Sequence, residues 1–217
     1  MIKKIRIGAR PSKLAIKQVE EIISKIDPID FDIIIIETKG DRDKKTSLAG
    51  QEFSDFFTYE IEQKLIYGEI DIAIHSAKDL ELAPPKELII AAMTASISPF
   101  EALVSKENLT LAKLYKDSVV GTSSVNRKSA INRYRPDLIV KDIRGNVDER
   151  ISQLDSGRYD AIVVAHAALL RLDLEDRVSE IISKDIIDPH PLQGRLAIQT
   201  RHGREDLIEI FRGLDEK

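Results

Sequence analysis

At four places in the 217-residue sequence, a short apolar run is followed by basic side chains and by a small or hydroxylated residue that can cap a helix. They are residues 10–12, 75–79, 121–127 and 144–150. If helices begin at these places, their first turns offer unpaired N–H groups and a partial positive charge. Arginine adds a planar fork that matches the geometry of a carboxylate. The four junctions therefore predict a site for a ligand that carries several negative charges.

Asp79 differs from these basic side chains because it is an acid, placed directly after Lys78. A carboxylate in a cationic, partly desolvated site is a candidate for proton transfer or for stabilising a cationic intermediate. A structural role is the competing interpretation, since the helix dipole favours an acid in a first turn. The neighbouring His75 adjoins an apolar strand, and we interpret it as a hydrogen-bonded core histidine.

Structural roles also compete for the other polar residues at these junctions. Ser12, Ser123 and Ser124 are good helix caps, and Asn146 with Glu149 matches a capping box. No glycine-rich phosphate loop of the known types is present. Residue types and spacing therefore predict a polyanion and leave its identity open.

Short apolar runs alternate with segments of helical periodicity, such as Ala15, Val19 and Ile22. Strands are predicted at 5–7, 31–36, 70–74, 88–93, 103–104, 119–120, 138–140, 161–165 and 196–198, with a closing helix at 205–211. The β-branched run at 31–36 is expected to be buried. This alternation predicts an α/β fold with mainly parallel strands.

Two segments that contain proline, 95–99 and 188–191, predict crossovers between two domains. Domain 1 is then expected to comprise residues 1–96 plus 199–217, and domain 2 to be the inserted residues 97–198. The polar stretch 39–51 is predicted to be a loop. Ligands of open α/β sheets lie beyond the carboxyl ends of the strands, so the junctions are expected to face one cleft.

Composition excludes several classes of function. The 33 basic and 37 acidic side chains give a net charge of −4, which argues against a nucleic-acid partner. With no cysteine, the chain has no disulfide, thiolate metal site or cysteine nucleophile. His166, His190 and His202 show no metal-ligand spacing, so no metal is predicted. No apolar run approaches 20 residues and no signal peptide is evident, so we expect a cytoplasmic protein without a membrane partner.

Seven stretches carry a resemblance to a known family: 5–15, 37–41, 56–80, 102–105, 120–138, 143–172 and 192–199. Their most specific motifs are HSAKD at 75–79, GTSSVNR at 121–127 and RGNVDER at 144–150. With these motifs in this order, the sequence resembles the porphobilinogen deaminase family, also called hydroxymethylbilane synthase. The resemblance covers nearly the whole chain.

The resemblance implies a transferase that condenses four porphobilinogen molecules into the linear tetrapyrrole hydroxymethylbilane and releases ammonia. It implies two α/β domains similar to type II periplasmic binding proteins, with the active site in the cleft between them. Asp79 matches the family's catalytic aspartate, which hydrogen-bonds pyrrole N–H groups and stabilises an azafulvenium cation. The residues that match the family's carboxylate-binding positions are Arg10, Ser12, Lys78, Ser123, Ser124, Arg127, Arg144, Arg150 and Arg171.

Departures from the family pattern accompany these matches. In the family, a third domain carries a cysteine that holds a dipyrromethane cofactor through a thioether. This sequence reaches Lys217 about where that domain would begin, and it has no cysteine, so it cannot form the thioether. Family cations are replaced at Asn126, Tyr59 and Phe100. The active-site loop is changed at 51–56 and the PGQGA turn at 191–195, where Arg195 is a candidate replacement charge.

Three hypotheses remain open at this stage. The first is a two-domain deaminase that uses a noncovalent primer, starts directly from porphobilinogen, or receives a cysteine-bearing domain in trans. The second is a non-catalytic binding protein for a pyrrole or another polycarboxylate. The third is a related transferase that acts on a different substrate.

Overall fold

The computed structural model describes residues 4–43, 56–80 and 84–216. Their contacts divide them into two units. Unit 1 holds the described residues of 4–43, 56–97 and 194–216, and unit 2 holds residues 98–193. No helix in these described residues is both long and apolar enough to cross a membrane.

The regular elements follow one another in chain order. The strands are β1 (Ile5–Ala9), β2 (Phe31–Ile35), β3 (Ile72–Ser76), β4 (Leu88–Met93), β5 (Glu101–Ser105), β6 (Val119–Gly121), β7 (Ile139–Lys141), β8 (Ala161–Ala165), β9 (Glu180–Ile182) and β10 (Leu196–Arg201). The helices are α1 (Lys13–Ile23), α2 (Lys39–Arg42), α3 (Tyr59–Ile66), α4 (Val125–Tyr134), α5 (Val147–Asp155), α6 (His166–Arg171) and α7 (Glu205–Phe211). Short 3₁₀ turns include Ala77–Asp79 and Glu175–Arg177.

Unit 1 contains a five-stranded sheet in the order β2-β1-β3-β10-β4. The strands β2, β1 and β3 are parallel, while β10 runs antiparallel to both β3 and β4. Fully buried Ile7, Ile72 and Ile198 pack against Ile22 and Phe211 in its main core. Because β1 and β3 are parallel neighbours, the junctions after them lie at the same edge of the sheet.

Unit 2 repeats this design in the order β7-β6-β8-β5-β9. Here β7, β6 and β8 are parallel, and β5 runs antiparallel to β8 and β9. Leu103, Val120 and Val163 form part of one buried cluster, and Val104 and Ile162 form part of a second. The junctions after β6 and β7 therefore also lie at one edge.

Three predictions about the elements were wrong. Of the eight strand pairings between described residues, four are parallel and four antiparallel, so the sheets are mixed. The strand β2 was expected to be buried, but it is the outermost strand of its sheet and has a single neighbour, so Phe31 and Ile35 are exposed. The short strand β9 was not predicted, since three residues carry too little periodicity.

The boundary of the second crossover also differs from the expected one. The contacts place it between residues 193 and 194 rather than 198 and 199, because β10 pairs along its whole length with β3 and β4. The first crossover lies between residues 97 and 98, within the predicted 95–99. The prediction of a loop at 39–51 was wrong for its first residues, which form α2 because Thr38 and Asp41 make a capping box there. Residues 44–51, and all of the changed segment 51–56 except Phe56, lie outside the described residues.

Candidate functional site

In unit 1, the edge formed by the ends of β1 and β3 carries the predicted acid. The 3₁₀ turn Ala77–Asp79 follows β3 directly. Its backbone is held by the Ala77 N–H, which donates to the Arg195 carbonyl at 3.0 Å. Gln18 of α1 donates to the Ser76 hydroxyl at 2.9 Å just before the turn. Asp79 is exposed and Lys78 is half-buried, so this edge presents a carboxylate to solvent from a fixed turn.

Arg10 follows β1 at the same edge and is held by a carboxylate of the chain itself. Its Nε and Nη2 donate to Asp41, with Nε–Oδ1 at 3.1 Å and Nη2–Oδ1 at 2.5 Å. The guanidinium also lies over the Phe57 ring, 4.4 Å from the centroid. Asp41 and Phe57 are contacts that the sequence analysis missed, because each is more than 30 residues from Arg10 and no periodicity links them.

Ser12 begins α1 as a helix cap. Its hydroxyl accepts the Ala15 N–H at 3.1 Å, and the residue is buried. The cap satisfies one of the N–H groups that a helix start leaves unpaired. This cap is one of the two roles predicted for Ser12, and its contact with a ligand carboxylate stays a prediction.

His75 lies in the interior of unit 1 beside a buried polar pair. Burial lowers the pKa of His75 to about 4; the polar contact with Gln199 opposes this shift and the nearby charge of Arg10 adds to it. Gln199 in turn donates to the Glu62 carboxylate at 2.8 Å, and all three residues are buried. His75 is therefore a neutral core histidine at physiological pH.

In unit 2, the two serines after β6 make different contacts. The Ser124 hydroxyl accepts the Arg127 N–H at 3.4 Å and caps α4. The buried Ser123 hydroxyl donates to the Ile143 carbonyl at 2.6 Å and accepts the Ile143 N–H at 3.1 Å. Ser123 therefore ties the end of β6 to the segment that follows β7.

Arg127 points into the interior of unit 2, where it is paired. Its Nε donates to Glu101 at 2.8 Å, and its Nη1 donates to the Val163 carbonyl at 3.2 Å. Arg127 and Glu101 are both less than 10 % exposed. This internal role competes with the predicted contact between Arg127 and a ligand carboxylate, and no sequence pattern identified Glu101 as the partner.

The segment after β7 is built around Gly145, whose φ of +104° favours glycine. The Asn146 N–H donates to Glu149 at 2.8 Å, and these two residues form the predicted capping box at the start of α5. Arg150 donates through Nε to the Gly145 carbonyl at 2.8 Å. Arg144 and Arg150 are thereby held close to one helix start, and both are half-buried.

A pocket of about 420 Å³ adjoins this helix start in unit 2. Arg144 and Arg158 line it, but so do Asp148 and Glu149. The mixed charges make it a less selective anion site than a cluster of cations alone. Arg171 lies elsewhere, in the last turn of α6, about 9 Å of helix beyond the end of β8.

The structure thus gathers the predicted residues into two sets. Unit 1 brings Arg10, Ser12, Lys78 and Asp79 to one sheet edge. Unit 2 brings Ser123, Ser124, Arg144 and Arg150 to the corresponding edge of its own sheet. That both sets face one ligand stays a prediction.

Two residues that depart from the family pattern, Asn126 and Arg195, make hydrogen bonds within their own units. Asn126 donates to the Asp188 carbonyl at 2.7 Å. The Arg195 side chain donates to the Glu216 carbonyl at 3.3 Å, which places it against the C-terminal segment of unit 1. Among the described residues, no group of three or more metal-binding side chains is present.

Comparison with known proteins gives a consistent result over nearly the whole chain. The family described as "Porphobilinogen deaminase, dipyromethane cofactor binding domain" matches residues 5–209. The porphobilinogen deaminase of Deinococcus radiodurans is 40% identical over 213 residues, covering 95% of this chain and 69% of the relative. That of Bacillus subtilis is 39% identical over 216 residues, covering 97% and 69%.

Solved structures with a similar fold are far more distant in sequence. The methionine-binding protein MetQ matches with a TM-score of 0.59 at 13% identity, covering 98% of this chain and 89% of the other. A putative methionine-binding lipoprotein of Bacillus subtilis matches with a TM-score of 0.55 at 12% identity, covering 98% and 90%. These likenesses show a two-domain fold of the type II periplasmic binding protein kind.

Proposed function

Because the chain belongs to the porphobilinogen deaminase family, we propose that it condenses porphobilinogen into hydroxymethylbilane and releases ammonia. The observation that carries the proposal is the position of Asp79. This acid is exposed, follows Lys78 in a held 3₁₀ turn, and shares a sheet edge with Arg10. A protein that only binds polyanions has no evident need for an exposed carboxylate at this position beside its cations.

The chemistry requires loss of the substrate's aminomethyl nitrogen. The nitrogen leaves from the protonated aminomethyl group as ammonia and takes the C–N electron pair with it, so the positive charge passes to the pyrrole as an azafulvenium cation. The Asp79 carboxylate opposes this charge and accepts the pyrrole N–H, so it stabilises the transition state more than the ground state. The free pyrrole carbon of the acceptor then attacks the methylene carbon, and its proton is lost to restore the ring.

The acetate and propionate of each pyrrole need cationic partners. We assign this role to Lys78, Arg144 and Arg150, with Arg10 contributing from the same edge as Asp79. Their half-buried positions favour charge-assisted hydrogen bonds over full solvation. We assign a further carboxylate to Arg171, in the last turn of α6.

We assign supporting roles to the residues whose side chains are bound inside the protein. Ser12 and Ser124 start helices, Ser123 fixes the segment that carries Arg144, and Arg127 holds Glu101. These four residues act on the ligand through the backbone that they position.

The cationic side chains of this protein suit the carboxylates of a dipyrromethane, but the sequence has no residue that could attach it covalently through a thioether. When bound, it would supply the acceptor pyrrole for the first condensation. Lys78, Arg144 and Arg150 would hold its carboxylates, while the sequence offers no cysteine to form a thioether. We therefore propose that these residues bind such a primer noncovalently, and that any thioether is formed by a cysteine-bearing domain supplied in trans.

The test of the proposed function is a turnover assay with porphobilinogen, scored as uroporphyrin after oxidation of the products. The wild type is expected to form product, and Asp79→Asn to lose about a hundredfold or more of its turnover number. The matched control is Asp176→Asn, because Asp176 is also an exposed acid in a 3₁₀ turn and has no assigned role. It is expected to keep full activity.

Two further measurements separate the alternatives. Mass spectrometry of denatured protein after turnover should give the mass of the bare chain, near 24.4 kDa, if the primer is noncovalent. An assay that gives no product although porphobilinogen binds, both with the chain alone and with an added dipyrromethane or cysteine-bearing domain, would contradict the enzyme and favour a binding protein.

A further inference from the structure

Arg10 is held by a carboxylate that belongs to the protein. Asp41 receives both Nε and Nη2 of the guanidinium, in a two-point contact. The pair is mostly sheltered from solvent, with the Arg10 side chain 23% exposed and that of Asp41 7%. Such a pair has a fixed geometry, because the planar fork and the carboxylate match along one edge.

Asp41 is itself fixed, so it does not move with Arg10. Its Oδ2 accepts from the Thr38 hydroxyl at 2.8 Å and from the Thr38 N–H at 3.1 Å. Thr38 is fully buried. Burial opposes ionisation of Asp41, yet hydrogen bonds and charge from Arg10, with those from Thr38, lower its pKa overall. The carboxylate is therefore an ionised and immobile anchor.

The Phe57 ring is the second group, after Asp41, that holds the Arg10 guanidinium in place. It lies under the Arg10 guanidinium, and it packs so closely on Gly40 that a Cβ there would come within 2.1 Å of the ring. The Gly40 N–H donates to the Phe56 carbonyl at 2.9 Å and joins the two segments. Glycine at position 40 is what allows the ring to approach.

These contacts occupy the edge of the guanidinium that Nε and Nη2 form. Within the described part of the chain, Nη1 of Arg10 makes no hydrogen bond, whereas Nε and Nη2 are engaged with Asp41. Arg10 lies at the same sheet edge as Asp79. An anchored cation whose Nη1 makes no hydrogen bond to the described residues suits a single carboxylate oxygen.

We propose that Asp41 is a positioning residue for substrate binding: it anchors Arg10 so that Nη1 faces one carboxylate of the pyrrole substrate. This inference rests on the proposed function and deepens it, since it says how Arg10 contributes. The opposite role for Asp41 is competition, in which its carboxylate occupies Arg10 and must be displaced. The two roles predict opposite changes in affinity when Asp41 loses its charge.

The deciding variant is Asp41→Asn, which keeps the volume and one acceptor oxygen but removes the charge. Positioning predicts that KM for porphobilinogen rises about tenfold while kcat changes less than about twofold, because the contact serves binding rather than the chemical step. A lower KM would show competition and overturn the proposal, and so would an unchanged KM.

The matched control is Asp71→Asn. Asp71 holds Arg6 in a similar two-point contact in the same unit, with both distances 3.0 Å. Arg6 is four residues before Arg10, about 13 Å away along β1. The control is expected to lower stability and to leave KM unchanged, so a KM rise in both variants would contradict a specific role for Asp41.

A double-mutant cycle tests whether the effect passes through Arg10. In an Arg10→Gln background, Asp41→Asn is expected to change KM by less than about twofold. If Asp41→Asn does not fold, Thr38→Val removes one hydroxyl contact to Asp41 and should raise KM in the same direction, by less. An unchanged KM in a folded Thr38→Val protein would then count against the proposal.

Failure of the proposed function would be distinguishable from failure of this inference. If the wild type gives no turnover, the affinity for porphobilinogen is measured by calorimetry in the same variants. The Arg10 Nε–H resonance in NMR spectra gives a readout that needs no ligand. It is expected to exchange slowly with water in the wild type and quickly in Asp41→Asn, and equal exchange rates would overturn the anchoring.

Discussion

Arg127 and Glu101 form an ion pair inside unit 2, with Nε 2.8 Å from Oε1 and Nη2 2.7 Å from Oε2. The sequence resemblance implies a ligand contact for Arg127. The pair connects the start of α4 to the start of β5, and the hydrogen bond from Arg127 to the Val163 carbonyl adds a link to β8. A motif residue can therefore serve the site by holding the strands whose ends form it.

Removing Arg127 is expected to destabilise the protein strongly. Arg127→Met leaves the Glu101 carboxylate buried without its partner, which typically costs about 3–5 kcal/mol. The double variant Arg127→Met with Glu101→Leu should lose less, because no buried charge remains. Urea denaturation measures both. Arg177→Met, which breaks an exposed pair with Asp155, should cost less than about 1 kcal/mol. Equal losses for Arg127→Met and Arg177→Met would refute the buried pair.

His75 predicts a specific dependence of stability on pH. Its pKa is about 4 in the folded protein, below the ordinary value of 6.5, so the unfolded chain binds the proton more tightly. The stabilisation by neutral His75 is fully present above pH 6.5. It falls by about 1.4 kcal/mol per pH unit as the pH drops from there towards 4.

The variant His75→Gln should therefore show a shallower loss of unfolding free energy between pH 6.5 and pH 4.5 than the wild type. Urea denaturation at several pH values measures the slope. His202→Gln is the control, because His202 is exposed, and it should keep the wild-type slope. A wild-type slope in His75→Gln would show that another group titrates.

Ser123 is expected to contribute to stability through both of its bonds to Ile143. In Ser123→Ala, a buried N–H and a buried carbonyl lose their hydroxyl partner, which should cost about 1–3 kcal/mol. Ser156→Ala is the control, because that hydroxyl donates to the Gln153 carbonyl at an exposed site; it should cost less than about 0.5 kcal/mol. Thermal denaturation compares them. If Ser123→Ala raised KM with full stability, a direct ligand contact would be the better explanation.

Replacing Gly145 is expected to lower the stability of the protein, both through backbone strain and through a clash with the Glu149 side chain. A Cβ at this position would lie 2.7 Å from Glu149 Oε2 and 3.0 Å from Glu149 Cβ, in addition to the strain at φ +104°. Gly145→Ala should therefore displace the capping box, cost about 2 kcal/mol and raise KM, since Arg150 bonds to the Gly145 carbonyl.

Gly203→Ala isolates the backbone part of this effect. Gly203 has φ +80° but nothing within 4 Å of an added Cβ, so its replacement costs backbone strain alone, about 1 kcal/mol. It should leave KM unchanged. Equal losses of stability and equal KM values in the two variants would show that the Glu149 contact does not matter.

Local signals in the sequence determined much of the architecture. Alternation of apolar runs with helical periods predicted most strands, and the bounds of β4, β8 and α7 agree with the structure. Asn146 and Glu149 predicted a capping box because that motif needs only residues three apart. The motif HSAKD located Asp79, and its position after β3 followed from the preceding apolar run.

Only the tertiary structure decided which charges are available to a ligand. The pairs Arg10–Asp41 and Arg127–Glu101 join residues 31 and 26 positions apart, and Gln199 meets Glu62 across 137 positions. No local pattern encodes such contacts, because they arise when strands and helices distant in sequence become neighbours. For the same reason, the sequence listed the cations of the site but could not tell which ones the protein uses to hold itself together.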